Sequence, residues 1–348
     1  MIPENPPQPT LGDVARRAGV SPATVSRVLN RSANVNGSTR ERVLNAMFNL
    51  GLEVPPLSSV TPKAKNLQGV IALLITDILN PFFPEVVRGV EEEAAISEHA
   101  LMLCNTSEDH RREQQILQML TERQVDGIVV CASRLATKDL ISLHERNDTP
   151  MVVINRRLDY PGIPCITVDF ENASYRAAQH LLRLDHRRVA YLAGQINSES
   201  SAARKRGIEM ALSEHNLTLP GEMCPNSYPS IEGGFQAMSS LLTLPKTERP
   251  TAVLAYNDVM ALGALHAIRT YRLSVPEDIS VIGFDGVAMA AHSNPPLTTI
   301  EQPKYRMGKL AMQMLRQLIQ GQPTLSSGYT LMESPLVVRE STGPNNSA

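Results

Sequence analysis

The sequence lacks the features that mark a secreted or membrane-spanning protein. Its longest uninterrupted apolar run is the six-residue VIALLI at Val70–Ile75, far short of the roughly 20 residues that span a bilayer. Its start, MIPENPPQPT, has neither a basic segment nor an apolar one, so no signal peptide is expected. These absences predict a cytoplasmic protein with no membrane partner.

Cysteine is scarce as well, and the fingerprints of common enzymes are missing. The four cysteines, at positions 104, 131, 165 and 224, form no C-x-x-C pair, which predicts free thiols in a reducing compartment and no metal site. No G-x-G-x-x-G, P-loop or G-x-S-x-G motif occurs, so neither a nucleotide cofactor nor hydrolase chemistry is predicted. The chain is therefore predicted not to be an enzyme, and a sugar-modifying α/β enzyme is a disfavoured alternative.

Charge is distributed unevenly along the chain. Residues 1–66 hold eight Lys or Arg and four Asp or Glu, a net charge of +4, which leaves −6 on the rest of a chain whose total is −2. A basic head on an acidic body is typical of a protein whose head alone meets a polyanion. Charge by itself is equally compatible with a solvated basic surface.

Two short helices are predicted at the start of this head. The stretch TLGDVARRAG begins at Thr10, has Asp13 in position for a capping box, and ends at Gly19. In SPATVSRVLN, Ser21 is placed to cap the helix, and Pro22 occupies its first position, where a missing N–H is no loss.

A third helix is predicted from a capping box at Ser38–Glu41 to Gly51. The first helix, the turn AGVS and the second helix form a helix-turn-helix pattern. In that motif the second helix enters the DNA major groove. A three-helix cap without any role in DNA binding is the plainer alternative.

The residues of the head also carry a specific resemblance. TLGDVARRAGVSPATVSRVLN, followed by TRERV, closely resembles the head of the lactose-repressor/galactose-repressor family of bacterial transcription regulators. The resemblance implies a DNA-binding domain at 8–52. It implies that the operator-facing residues are Ser21, Pro22, Ala23 and Arg27, and that the phosphate-contacting residues are Thr24, Ser26 and Asn30. Of these, Arg27 alone can pair bidentately with a guanine edge.

Residues 53–68 are predicted to be a linker, because Pro, Ser and Lys break every periodicity there. Members of the family usually have a hinge helix at this place, with an Ala-Arg-x-Leu core whose Leu wedges into the minor groove. The sequence departs from the family here, since that core is missing and the wedge position falls on Pro62.

In the body, over 69–341, apolar runs of five or six residues alternate with helical stretches. This alternation predicts an α/β fold with parallel sheets covered by helices, and the length predicts two lobes. Lobe 1 is predicted at about 69–167 and 298–328, and lobe 2 at about 168–297 and 329–341.

Open α/β sheets bind ligands at the carboxyl ends of their strands. Several residues after the predicted strands have aromatic faces or amide, guanidinium and carboxylate groups, which suit a sugar. These strand-end candidates are Asn80, Phe82, Phe83, Asn155, Arg156, Asn257, Asp258, Phe284 and Asp285.

The body resembles the effector domain of the same family and the related periplasmic sugar-binding proteins, through ITDILNPFFPEVVRGVE, YNDVMALGAL and VPEDISVIGFDG. The resemblance implies a periplasmic-binding-protein-like body with a ligand between its lobes. The sugar-contact positions it implies are Phe82, Phe83, Asn155, Arg156, Arg204, Asn257, Asp285 and Gln302, with Tyr228 a weaker candidate. Features of cytidine-, ribose- and galactose-type members occur together, so pentose, hexose and nucleoside ligands stay open, with a furanose preferred.

Together these observations predict a dimeric transcription regulator, a repressor that binds a double-stranded DNA operator under the control of a small sugar or nucleoside. The ligand is expected to relieve repression, and co-repressor action is the alternative. A sugar-binding protein of the transport type would share the body, but it needs a signal peptide and has no use for the head.

Overall fold

The computed structural model describes residues 10–29, 36–50, 69–196, 198–322 and 328–346. The predicted linker at 53–68 and the DNA-contact candidate Asn30 lie outside the described residues. The chain divides into two compact units, Met1–Asn66 and Leu67–Ala348, called here the head and the body.

The described part of the head contains the helices α1 (Leu11–Ala18), α2 (Pro22–Leu29) and α3 (Gly37–Asn49). The predicted caps of α1 and α2 are confirmed. The Asp13 carboxylate accepts from the backbone N of Thr10 at 2.9 Å, and Ser21 Oγ accepts from the backbone N of Thr24 at 3.2 Å. Gly19 ends α1 with a left-handed φ of 65°, a conformation that glycine adopts without strain.

The start of α3 differs from the prediction. Asn36 Oδ1 accepts from the backbone N of Thr39 at 2.9 Å and from the Ser38 hydroxyl at 3.2 Å, so Asn36 is the capping residue and the helix begins at Gly37. The predicted start at Ser38 is therefore wrong, since Ser38 already lies within the helix. Asn and Ser cap helices about equally well, and two such residues within three positions leave the start ambiguous from sequence.

The body alternates strands and helices along the chain. Its strands are β1 (Gly69–Ile75), β2 (His99–Asn105), β3 (Gly127–Cys131), β4 (Met151–Ile154), β5 (Cys165–Val168), β6 (Val189–Leu192), β7 (Ala252–Ala255), β8 (Ser280–Asp285), β9 (Thr298–Glu301), β10 (Tyr329–Met332) and β11 (Leu336–Val337). Its helices are α4 (Phe82–Ile96), α5 (His110–Glu122), α6 (Thr137–Asn147), α7 (Phe170–Arg183), α8 (Glu199–Ser213), α9 (Ile231–Leu242), α10 (Asp258–Thr270), α11 (Ala288–His292) and α12 (Lys304–Ile319). Most central strands are buried on both faces, which explains their continuous apolar runs.

The strands form two sheets, one in each lobe. The sheet of lobe 1 has the order β10-β5-β4-β3-β1-β2 and is parallel throughout, and that of lobe 2 has the order β11-β9-β8-β7-β6 with only β11 antiparallel. This architecture confirms the predicted α/β fold. The predicted lobe limits place two strands in the wrong lobe. Strand β9 pairs with β8 in lobe 2, and β10 pairs with β5 in lobe 1.

Helix α12 returns to lobe 1, where it packs against α4. The two helices approach closely at a pair of glycines. A Cβ added to Gly89 would lie 2.2 Å from the carbonyl oxygen of Tyr305, and one added to Gly308 would lie 2.1 Å from that of Val86. Close helix contact at this position therefore requires glycine on both sides.

The C-terminal residues bind the end of lobe 2 that is remote from the strands' carboxyl ends. Ser341 Oγ donates to the carbonyl oxygen of Val281 at 2.6 Å and accepts from the backbone N of Thr298 at 2.8 Å. His186, which is 1% exposed, places its Nε2 atom 3.0 Å from the carbonyl oxygen of Gly343. This C-terminal segment therefore joins neighbouring strands of the lobe.

The four cysteines are free thiols; Cys131 and Cys165 are buried, and Cys104 and Cys224 are half-buried. Within the described ranges, no group of His, Cys, Asp and Glu is arranged to hold a metal ion. No helix among the described residues has the length and apolar character needed to cross a bilayer.

Candidate functional site

Helix α2 turns one face into the head and the other outward. Val25 and Val28 are buried in a small core with Val14 of α1 and Val43 of α3. The DNA-contact candidates exposed on the outer side are Ser21, Pro22, Ala23, Ser26 and Arg27. Thr24 is half-buried, with its hydroxyl 2.9 Å from that of Ser21.

This outer face is suited to contact with DNA. Pro22 and Ala23 carry no side-chain hydrogen-bonding group, so they can offer only apolar contact, for example to a thymine methyl. The exposed Arg27 guanidinium can donate two hydrogen bonds to a guanine edge. Arg16 and Arg17 of α1 are also exposed and add positive charge to the same unit.

In the body, a cleft lies where the carboxyl ends of the strands of both lobes meet. Its walls bring together eight of the predicted ligand residues: Asn80, Phe82, Phe83, Asn155, Arg204, Asn257, Asp285 and Gln302. Asn155 has φ 60° and Asp285 has φ 119°, values that strain residues other than glycine. Such strain is often concentrated at functional sites.

A chain of side-chain hydrogen bonds crosses the cleft. Asn155 Nδ2 donates to Gln302 Oε1 at 3.1 Å, and Gln302 Nε2 donates to Asp285 Oδ1 at 2.7 Å. Because an ionised carboxylate only accepts, Asp285 determines the orientation of both amides. The chain therefore links the end of β4 in lobe 1 with the ends of β8 and β9 in lobe 2.

Arg204 of α8 lies at the centre of this site. Its guanidinium carbon is 4.6 Å from the ring centre of Phe170, 4.5 Å from that of Tyr256 and 3.9 Å from that of Phe284. Arg204 Nη2 lies 3.7 Å from Asp285 Oδ1. Aromatic faces attract a guanidinium, so the three rings and the carboxylate hold this side chain in one position.

Several buried polar atoms of the cleft have no hydrogen-bond partner among the described residues. They are Arg204 Nε and Nη1, Asn155 Oδ1 and Asn257 Nδ2. Each such atom destabilises the fold by about 1–3 kcal/mol. The cleft encloses only about 30 Å³ of free space, roughly the volume of one water molecule. A molecule much larger than water therefore does not fit beside these atoms with the lobes in this position.

Two buried carboxyl groups interact here, Asp285 in the wall of the cleft and Asp258 in the interior of the lobe. Asp258 is fully buried, accepts from Thr299 Oγ1 at 2.5 Å and from the backbone N of Val287 at 2.8 Å, and lies near Asp285. Burial and the neighbouring negative charge raise its pKa, and burial also raises the pKa of Asp285. Lys304, 3% exposed, donates to the carbonyl oxygen of Asp285 at 3.0 Å.

The structure does not bring Arg156 to the cleft. Its guanidinium donates to the carbonyl oxygen of Leu135, to Thr137 Oγ1 at 2.9 Å and to Glu199 Oε1 at 3.0 Å. Arg156 lines a neighbouring trough of about 510 Å³ instead. Asn155 lines both the trough and the cleft, whereas Arg156 lines the trough.

Tyr228 is also placed outside the inner cleft. It is 41% exposed and lies at the mouth of the cleft, where its hydroxyl donates to Asp77 Oδ2 at 3.2 Å. Tyr228 therefore bridges the lobes at their rim and does not line the enclosed site.

Seven residues that line the cleft were not predicted as ligand residues: Thr76, Glu108, Ala132, Arg134, Phe170, Ser200 and Tyr256. All but Ser200 follow a strand end by one to three residues, so a systematic search after every strand would have found those six. Glu108 and Arg134 form a buried ion pair with an Nε–Oε2 distance of 2.6 Å.

Comparison with protein families agrees with this two-part architecture. Residues 10–52 match the family described as bacterial regulatory proteins, lacI family. Residues 178–342 match a periplasmic binding protein-like domain. The first match covers the described helices of the head, and the second covers most of lobe 2 together with α12 and β10.

Curated relatives resemble the chain over most of its length. The HTH-type transcriptional repressor PurR of Aliivibrio fischeri (strain MJ11) is 37% identical over 311 residues, which cover 89% of this chain and 91% of that protein. The HTH-type transcriptional repressor CytR of Escherichia coli (strain K12) is 34% identical over 333 residues and 96% of both chains. These relatives are repressors and not enzymes.

Solved structures show the same fold. The lac repressor dimer bound to operator and the anti-inducer ONPF has a TM-score of 0.70 and 28% identity, and the match covers 97% of this chain and 100% of that one. A complex of the transcriptional regulator CelR with cellobiose has a TM-score of 0.69 and 28% identity over 96% of this chain and 99% of that one. A lacI family regulator of Enterococcus faecium with bound ribose has a TM-score of 0.70 and 29% identity over 79% of this chain and 99% of that one.

Proposed function

The chain belongs to the lacI family of bacterial regulatory proteins and is a DNA-binding transcriptional repressor, and we propose that a small uncharged sugar or nucleoside in the interlobe cleft controls its operator affinity. The observation that carries this proposal is Arg204, held by three aromatic rings with Nε and Nη1 unpaired. A polyol offers the oxygen acceptors that these N–H groups need.

The remaining unpaired atoms support the same ligand class. Asn257 Nδ2 is a further donor, and Asn155 Oδ1 is an acceptor, so the cleft offers both kinds of partner to a hydroxyl group. The edge-to-face pair of Phe82 and Phe83, with ring centres 5.2 Å apart, provides apolar surface for the C–H face of a sugar ring.

The balance of charge favours an uncharged ligand over a phosphorylated one. In the cleft, Arg134 is paired with Glu108, and Arg204 lies beside Asp285. Each guanidinium is thus already neutralised by a carboxylate, and a phosphate would meet two buried negative charges. Bringing a further anion into such a site is strongly unfavourable.

For the head we propose that residues 8–52 bind the operator through Ser21, Pro22, Ala23, Thr24, Ser26, Arg27 and Asn30, with 53–68 as the linker. The chain then acts in the cytoplasm, and it binds the operator as a homodimer; the lac repressor is a dimer in its operator complex. Two heads related by a two-fold axis read half-sites about 34–36 Å apart. Ligand and operator change each other's affinity by the same factor, which corresponds to a coupling free energy of typically about 1–3 kcal/mol. The ligand weakens operator binding.

Operator binding is tested by titrating the full chain with operator-length DNA over a series of salt concentrations. Log affinity should fall linearly with log salt as phosphate contacts release counterions. Replacement of Arg27 by Ala should reduce the affinity for operator relative to random DNA by about 1–3 kcal/mol. The charge-matched control Arg17→Ala should weaken binding to both DNAs equally. Absence of binding at low salt would contradict the proposed role of the head.

The ligand is identified by a thermal-shift screen of sugars, sugar phosphates and nucleosides. A ligand present at 100 times its dissociation constant stabilises the protein by about 2.7 kcal/mol. Arg204→Ala should abolish the shift of the best compound, and Lys205→Ala, on the exposed face of the same helix, should retain it. If only sugar phosphates raise the melting temperature, the charge argument is wrong.

A further inference from the structure

A buried ion pair closes the cleft from the side of lobe 1. Arg134 follows β3 and Glu108 follows β2, and their side chains are 7% and 4% exposed. Arg134 Nε lies 2.6 Å from Glu108 Oε2, and Nη2 lies 3.1 Å from Oε1. This fork-like geometry is the strongest arrangement of a guanidinium and a carboxylate, so it anchors Arg134 firmly to its own lobe.

The rest of the Arg134 guanidinium crosses to lobe 2. Nη1 donates to Ser198 Oγ at 3.2 Å, and Nη2 donates to the Tyr256 hydroxyl at 3.3 Å. Ser198 precedes α8 and Tyr256 follows β7, so both acceptors belong to the opposite wall. The Tyr256 hydroxyl also lies 3.2 Å from Ser200 Oγ, and together these groups form a continuous hydrogen-bonded network across the cleft.

Another bridge between the lobes, from Asn155 to Gln302, is also buried but joins two neutral amides, whereas others are more exposed to solvent. The Tyr228–Asp77 hydrogen bond lies at the rim, and the Glu199 side chain that pairs with Arg156 is 59% exposed. Solvent weakens such contacts. The contacts of Arg134 are buried, and they occupy the cleft where free space is only about 30 Å³.

We propose that Arg134 is a clasp that holds the cleft closed with no ligand bound, and that a ligand enters only after Arg134 has parted from Tyr256 and Ser198. The ion pair with Glu108 stays intact during opening, because breaking it would leave two unpaired charges in a buried site. The weak point is therefore the pair of neutral hydroxyls on lobe 2. This inference concerns the free protein and does not depend on the identity of the ligand.

Hydrogen–deuterium exchange of the full-length protein, without DNA or ligand, tests the clasp. Tyr256→Phe removes the hydroxyl that accepts from Arg134 and keeps the ring against Arg204. Hydrogen bonds to charged groups are strong enough that the loss should raise the open population, and with it the exchange rate of amides on both cleft walls, about tenfold. Amide exchange in the two walls is measured on peptides that cover residues 76–83 and 106–109 in lobe 1 and residues 256–260 in lobe 2.

Tyr191→Phe is the matched control. Tyr191 is 1% exposed, and within the part of the chain that the structure describes its hydroxyl bonds inside lobe 2, to Ser201 Oγ at 3.1 Å and to the Ser201 carbonyl oxygen at 3.3 Å. This variant should leave exchange of the lobe 1 peptides unchanged. A second test variant, Arg134→Lys, keeps the positive charge beside Glu108 but loses the two-pronged guanidinium geometry. It should accelerate amide exchange in both cleft walls, as Tyr256→Phe does.

Three outcomes overturn the clasp. Unchanged exchange in both test variants shows that Arg134 does not limit opening. Faster exchange confined to lobe 2 in Tyr256→Phe assigns the hydroxyl a local structural role. Equal acceleration of the lobe 1 peptides by Tyr191→Phe attributes the effect to general destabilisation. Since the measurement uses neither operator nor ligand, its outcome is separate from the success or failure of the proposed function.

Discussion

Replacing Asp258 with Asn is predicted to remove a pH dependence of stability from the body. The Asp258 carboxyl is fully buried, and burial raises its pKa to about 8. In the unfolded chain an aspartate titrates near 4. Between these values the folded protein keeps a proton that the unfolded chain has released, so the free energy of unfolding falls by about 1.4 kcal/mol for each unit of rising pH.

Asn is a close structural match for the protonated carboxyl at this position. Its amide oxygen can accept from the backbone N of Val287, as Asp258 Oδ2 does at 2.8 Å. Its amide nitrogen can donate to Thr299 Oγ1, whose own hydrogen can turn to the carbonyl oxygen of Ile300 at 3.4 Å. From pH 6.5 to 7.5, where the folded carboxyl is still mostly protonated, the wild type should therefore lose about 1.2 kcal/mol of stability more than Asp258→Asn loses.

Urea unfolding followed by far-ultraviolet circular dichroism at pH 6.5, 7.0 and 7.5 measures this difference. Asp109→Asn is the control, because hydrogen bonds from the backbone N of Arg111 and Arg112 lower the pKa of that exposed carboxyl. Asp109 thus stays ionised in both states across the range, and its variant should keep the wild-type slope. Parallel pH profiles for the wild type and Asp258→Asn would refute the claim that the buried Asp258 carboxyl keeps its proton in the folded protein.

Two further predictions concern packing and capping. Gly89→Ala should destabilise the body by about 1–3 kcal/mol, because the new Cβ would meet the Tyr305 carbonyl oxygen. Calorimetry should show a lower melting temperature for this variant. The control Gly221→Ala, whose new Cβ meets open space, should be near neutral. Asn36→Ala should destabilise the head by about 1 kcal/mol and speed amide exchange in α3, and Ser38→Ala should have a smaller effect; the reverse order would restore Ser38 as the cap.

The head was largely predictable because its signals are local. Thr10, Asp13 and Gly19 bound α1, and Ser21 and Pro22 begin α2, all within a few residues of the groups they contact. The start of α3 was missed, since Asn36 and Ser38 are both good caps and only the folded chain shows which one receives the amide of Thr39.

The cleft was predictable where strand order did not matter. Asn155, Asn257 and Asp285 follow apolar runs directly, and parallel strands bring such positions to one edge. Arg204 lies in the first part of a helix, and only the resemblance to known families indicated it. Arg134 and Glu108 are 26 residues apart, and their pairing depends on β1 lying between β2 and β3, which no local pattern reveals.

The predicted lobe limits were wrong because they too depend on strand order. Strands β9 and β10 lie in the C-terminal part of the chain, and each has a sequence that would suit either sheet. Their places are decided by hydrogen bonding to β8 and β5. Long-range pairing of this kind is the part of a fold that periodicity and capping cannot supply.

The exchange of strands between lobes has a consequence for how the protein is made and inherited. The chain passes from one lobe to the other after β5, after β9 and again after β10. On the ribosome, lobe 1 therefore waits for α12 and β10, and lobe 2 for β11, so neither can finish folding until nearly the whole chain has emerged. Recombination between relatives can exchange the head as one segment, but a graft of one lobe needs matched crossovers at all three passages.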